Sequence, residues 1–276
     1  MALDPRAYWT SLHDRKDLSA VGQSGLSVAL NAWLYRALEG RVSRYLHERR
    51  VLDGITRAFD VGAGTGYWVN AWHHRSVARV DGCDLIDAAA DALNARFAAQ
   101  GDHFVAVDIG APGAVVALPA EPYAFVSVMN VLLHVVDDEA FDRALATVAA
   151  LVAPGGHLLL VEPILFDASF ERPRTPEQAS RARPLAAYRD PLLAAGLELV
   201  DVRGAVALAN NPIEGGSQRA FRRWSKSWRW IAKQAKTRPW TVRFIGPVLL
   251  VADRIAIARG AAPSSKLALF RRPPAA

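Results

Sequence analysis

The chain has 276 residues, 51% of them hydrophobic, with a formal net charge of +6 and one cysteine. That length and composition can bury a full core as one large domain with appended pieces, and the lone Cys83 excludes an intrachain disulfide. The positive charge is local. Ser217 to Arg243 holds six Arg, three Lys and no acid, so the rest of the chain is net acidic and any acidic partner would concern this stretch alone.

In chain order, apolar residues recur at helical spacing from Leu26 to Arg50, predicting an N-terminal helical piece interrupted near Gly40. Asp4, Arg6, His13 and Asp14 break any signal-peptide apolar run. Strands are expected at Thr56 to Val61, Ala78 to Asp84, Phe104 to Val107, Tyr123 to Met129, His157 to Val161, Leu197 to Arg203 and Lys266 to Phe270. Helices lie between them, for example Asp138 to Val152, which stops at Pro154, Gly155 and Gly156. FIGPVLLVADRIAIA, from Phe244, is interrupted by Pro247, Asp253 and Arg254 and is too short to span a bilayer, so a cytoplasmic location is expected. Alternating strands and helices predict a mostly parallel seven-stranded sheet with helices on both faces. Residues 1–53 would form a helical cap, and 54–276 the main domain with a basic helical insertion at about 212–243.

In such sheets ligands sit beyond the carboxyl ends of the strands. Those ends carry Asp60, Asp84, Asp108, Asn130 and Glu162. After the first strand comes AFDVGAGTGYWV, with Gly62, Gly64 and Gly66 two apart. A dinucleotide fingerprint requires G-x-G-x-x-G, but the sixth position is Tyr67 counted from Gly62 and Val69 counted from Gly64. A P-loop is excluded as well, since no Lys occurs between Lys16 and Lys226.

The remaining pattern, D-x-G-x-G-x-G from Asp60 to Gly66, resembles the first motif of class I S-adenosylmethionine-dependent methyltransferases, which have a Rossmann-like α/β fold. VDGCDLIDAAADAL, FVAVDIG, VSVMNVLLHVVDDEAF and LVAPGGHLLLVEP resemble that family's later segments, covering Gly54 to Pro163. The resemblance implies S-adenosylmethionine as cofactor and S-adenosylhomocysteine as product. It implies that Asp84, beside Leu85, receives the ribose hydroxyls, that Asp108 accepts from the adenine amino group with Ile109 as apolar neighbour, and that Asn130 borders the cofactor. Asp60 would orient the glycine loop and the cofactor's aminoacid end, or simply cap the turn.

Methyl transfer from a sulfonium requires alignment and exclusion of water more than covalent help. The candidate base is His134, at the mouth of the expected site; packing of a structural histidine is the alternative. None of the other histidines nor Cys83 shows metal-ligand spacing, so no metal site is expected. Tyr8, Trp9, Trp33 and Tyr35 are candidates for an aromatic substrate lid, against plain packing, and Arg189 for an acidic substrate group. In QRAFRRWSKSWRWIAKQAKTRPW, Phe221, Trp224, Trp228, Ile231 and Ala235 share one helical face and cations occupy the rest. The segment 219–238 could be a lid or packed helix, contact a membrane surface, or bind nucleic acid. Strand four lacks the N/D-P-P-Y-like or P-C motif of nucleic-acid methyltransferases, so nucleic acid is not the expected partner. The function expected is O- or N-methylation of a small specialised metabolite. The alternative is a cofactor-fold protein with other chemistry or none. Oligomeric state is left open.

Overall fold

The computed structural model describes residues 4–13, 18, 22, 26–173, 175, 177–208, 210–261 and 264–275. Two helices open the chain, α1 (Pro5–His13) and α2 (Val28–Glu48). Ser27 caps α2 by accepting the Leu30 amide proton at 3.3 Å, which satisfies one of the unpaired donors of the first turn. The expected interruption at Gly40 does not occur. The exposed glycine weakens one turn, while Leu38, Val42, Tyr45 and Leu46 bury the same helix against the core and hold it continuous.

Next come β1 (Arg57–Val61), α3 (Tyr67–His73), β2 (Arg79–Asp84), α4 (Asp87–Phe97), β3 (Phe104–Ala106), β4 (Tyr123–Met129), α5 (Asp138–Ala150) and β5 (Val152–Glu162). The chain closes with α6 (Leu185–Ala194), β6 (Glu198–Gly204), α7 (Gln218–Thr237), α8 (Val242–Ala258) and β7 (Lys266–Arg271). The strands form one sheet in the order β3-β2-β1-β4-β5-β7-β6, with β7 antiparallel to both neighbours. The helix expected to reach Val152 stops at Ala150, and Val152 instead begins β5 by pairing with Tyr123. That strand reaches upstream through Pro154, Gly155 and Gly156, with a register irregularity between Tyr123 and Phe125.

Central strands bury both faces, so successive residues feed opposite cores. Along β5, Leu159 and Val161 join α2, α3 and α4 on one side, while Leu158 and Leu160 join α5 and α6 on the other. The switch in strand order lies between β1 and β4, because the chain runs outward from β1 through β2 to β3 and returns to β4 on the far side of β1.

The insertion extends well beyond residue 243 as a second helix, α8, which the apolar run from Phe244 builds. Trp228, Ile231 and Ala235 of α7 pack with Val242 and Leu249 of α8 and with Leu26 and Leu30 at the start of α2. Gly246 lets α8 approach closely, since a Cβ there would lie 2.6 Å from the Trp33 indole nitrogen. Buried Asp253 accepts the amide protons of Ala207 and Leu208 at 2.7 and 2.5 Å and pairs with Arg41 of α2. The aromatic face of α7 is therefore spent on packing.

Candidate active site

A cavity of about 250 Å³ lies at the carboxyl ends of β1 to β4, across the switch point. Its floor is the loop after β1, drawn onto β2 by the amides of Gly62 and Ala63, which both donate to the Cys83 carbonyl at 2.8 and 3.0 Å. Gly62 has φ +69°, and a Cβ there would fall 2.4 Å from the Val131 side chain, so the loop and the segment after β4 touch through a glycine.

Asp84 lines the cavity at the end of β2, its carboxylate oriented by the Gly64 amide at 2.8 Å and the Ile86 amide at 3.2 Å. Leu85, Asp108 and Ile109 line it too, with Asp108 accepting from the Gly110 amide at 2.9 Å. Asn130 completes this arc at φ +59°, a left-handed conformation that asparagine tolerates, and its amide donates to the Val161 carbonyl.

Two residues of the motif lie behind the wall rather than on it. Asp60 is buried under the loop, where Ser127 donates to it at 2.5 Å and Trp72 donates to Ser127 in turn; burial pushes its carboxyl pKa up to about 7. Gly66 precedes α3, and its missing Cβ makes room for Phe97, 2.7 Å from where that atom would be. Its sequence role as a cofactor contact becomes one of helix-to-helix approach.

The remaining wall is aromatic. Trp9 and Tyr35 line the cavity, joined by Tyr67 and Trp68 at the start of α3. Tyr67, noticed in the sequence only as the residue that breaks a dinucleotide fingerprint, donates from its hydroxyl to Glu39 of α2 at 2.6 Å, and Arg75 holds the other Glu39 oxygen. A ring at the first position of the helix after the glycine loop was the available signal. Helix α1 partly covers the mouth, with Pro5 and Trp9 on the cavity and Arg6 paired to Asp87 at the start of α4. Three other expected substrate residues are elsewhere. Trp33 packs on α8, Tyr8 sits edge-on to Trp9 outside the lining, and Arg189 pairs with its exposed neighbour Asp190 at 2.7 Å. Alternation along a helix told which residues share a face, but not which face meets the cavity.

His134 stands in the short 3₁₀ turn Leu132–His134 on the wall beside Trp9, its ring 4.7 Å from that of Trp9 and nearly perpendicular to it. Nδ1 lies 2.7 Å from the Ala179 carbonyl, an acceptor, so Nδ1 carries the proton and Nε2 the lone pair. Burial lowers the imidazole pKa, keeping it neutral at pH 7. The turn itself is held by buried Glu162, which accepts the amide protons of Val131 and Leu132 on one oxygen and of Leu133 on the other. Glu162 therefore acts from beneath the site, not in it.

Residues 58–156, from the start of β1 into β5, match the methyltransferase-domain family. The chain carries a methyltransferase domain on a Rossmann-like sheet. No curated protein sequence matches the chain. Among solved structures, the methyltransferase resembles a putative sarcosine dimethylglycine methyltransferase from Galdieria sulphuraria at 15% identity and TM-score 0.53, with 86% of each chain covered. A S-adenosylmethionine-dependent methyltransferase from Clostridium acetobutylicum ATCC 824 aligns at 10% identity and TM-score 0.52, covering 87% of this chain and 92% of that one. The [4+2]-cyclase SpnF aligns at 19% identity and TM-score 0.51, covering 85% and 81%. At these identities the likeness is one of fold.

Proposed function

We propose that this methyltransferase acts on an oxygen or nitrogen nucleophile of a small, largely apolar metabolite, with His134 as general base. The observation that carries the reading is a neutral histidine of fixed tautomer on the wall of a cavity that α1 partly covers with aromatic side chains. A concave, partly covered cavity suits a small acceptor better than a nucleic-acid strand or a protein loop, either of which needs an open groove.

The residues present fit the cofactor. Asp84 would receive the ribose hydroxyls, since an ionised carboxylate is an acceptor for both. Asp108 would accept from the adenine amino group beside Leu85 and Ile109, and Gly62, Gly64 and Asn130 would border the aminoacid end. Tyr35, Tyr67 and Trp9 supply ring faces and edges suited to a sulfonium. When bound, S-adenosylmethionine supplies an electrophilic methyl whose sulfur leaves neutral. The chain's part is alignment and the proton. Nε2 of His134 would take the proton from the acceptor as its lone pair forms the new bond to carbon. Cover by α1 would limit the water that otherwise competes.

The test is incubation with S-adenosylmethionine and candidate acceptors, read by mass spectrometry. The expected result is an acceptor heavier by one methyl with stoichiometric S-adenosylhomocysteine. Conversion of an acceptor with no S-adenosylhomocysteine formed would overturn methylation in favour of other chemistry in the same fold.

A further inference from the structure

Helix α8 carries two apolar stripes of the same spacing. The inward one, Val242, Gly246 and Leu249, runs on to buried Asp253 and meets α2 and α7. The outward one is Phe244, Val248, Val251 and Ile255, at helical spacing i, i+4, i+7 and i+11, extended upstream by Trp240 packed edge-on against Phe244. These five side chains are 46–69% exposed, and Trp230 on the neighbouring helix is 60% exposed. A helix apolar on both faces has a partner for both, and among the described residues nothing covers the outer one.

Charge identifies the partner. Ser217 to Gly260 contains eight Arg and three Lys against one acid, Asp253, which is buried in its pair with Arg41. The surface of this helical pair thus presents cations and apolar groups with no exposed carboxylate. A second copy would bring the same cations face to face and be repelled. A nucleic-acid strand would satisfy the cations but leave Val248, Val251 and Ile255 without bases that stack on them. An anionic lipid surface satisfies both, since aliphatic and Phe side chains enter the acyl boundary, Trp sits at headgroup level and Lys and Arg meet the lipid phosphates.

We infer that the outward face of α8, with the cations of α7, docks this protein on an anionic membrane surface. Attachment is peripheral, as no helix among the described residues is long and apolar enough to cross a membrane. The contact is not the aromatic face of 219–238, which is packed against α2 and α8.

The full chain is sedimented with vesicles of phosphatidylcholine alone, or with about one third phosphatidylglycerol, at ~0.1 M and ~1 M salt, between which the Debye length falls from about 10 to 3 Å. Binding is expected to the anionic vesicles and to be largely lost at the higher salt. Lys233→Gln with Lys236→Gln is expected to weaken it about fivefold per cation removed. Phe244→Ser with Val248→Ser, both exposed and so compatible with folding by circular dichroism, is expected to abolish it. The proposal is overturned by a chain that stays in solution with anionic vesicles, by binding that the double serine variant retains, or by equal binding to neutral vesicles. It is also overturned if the serine variant instead dissolves a dimer seen by analytical ultracentrifugation, or releases a bound oligonucleotide.

Discussion

Asp84 faces the cavity while the amides of Gly64 and Ile86 fix its carboxylate, so it is pre-aimed before any diol arrives. Hydrogen bonds to a charged acceptor contribute about 1.5–3 kcal/mol each, and two hydroxyls are at stake. Asp84→Ala should therefore lower S-adenosylmethionine affinity by about a hundredfold or more in titration calorimetry; an unchanged Kd would remove the assignment. His134 is governed by the Ala179 carbonyl and by burial, which together hold Nε2 as a free base near neutrality. The base form exists above the depressed pKa, so kcat/KM should be level from neutral pH upward and fall only on acidification below the ordinary histidine value of 6.5. His134→Gln should lower kcat by ~10² to 10⁴, abolish that acid limb and leave cofactor affinity intact. A loss confined to stability would return His134 to a packing role.

At the scale of elements, α2 serves three parts of the molecule. It contributes Leu38, Val42, Tyr45 and Leu46 to the sheet core, Leu30 and Trp33 to the insertion, and Tyr35 to the cavity wall, where Glu39 behind it holds the Tyr67 hydroxyl. Gly40, within the helix, is exposed, and a Cβ added there would meet nothing within 4 Å. Gly40→Ala should stabilise the chain by roughly 0.5–1 kcal/mol and raise Tm by about 1–3 °C in differential scanning calorimetry without changing activity. The sequence showed the periodicity of α2 and α7 and the stop at Pro239, because those depend on local spacing. It did not show α8 as a helix of the insertion. An apolar run broken by Pro247 reads ambiguously until its partners, Trp33, Arg41 and Trp228, come from elsewhere in the chain.

For the molecule as a whole, Asp60 couples the site to stability. Buried beneath the glycine loop, its carboxyl titrates at about 7 when folded against 3.8 when unfolded. A raised folded pKa means the native state holds a proton that the unfolded chain has released, so this contribution is complete below pH 3.8 and is lost as pH rises through 7. Tm should decline from mildly acidic to mildly alkaline pH, and Asp60→Asn, which still accepts from Ser127, should flatten that decline. A slope identical in the variant would locate the titration elsewhere.

The class of fold and the cofactor were legible because they rest on local chemistry. Glycines at fixed spacing, an acid ending a strand and the alternation of strand with helix are written in consecutive residues. Which residues face the cavity was decided by tertiary structure. Asp60 and Gly66 went behind the wall, Trp33 and Arg189 away from it, Tyr67 and Pro5 came to it, and the Ala179 carbonyl came to hold His134, since each position depends on what a distant segment places opposite. The sequence also marked the basic stretch from Ser217 to Arg243, a local matter of charge. Only packing decided that its aromatic face turns inward and that the exposed apolar stripe belongs to the next helix. A helix has a pattern on its own, but a buried face only when something packs against it.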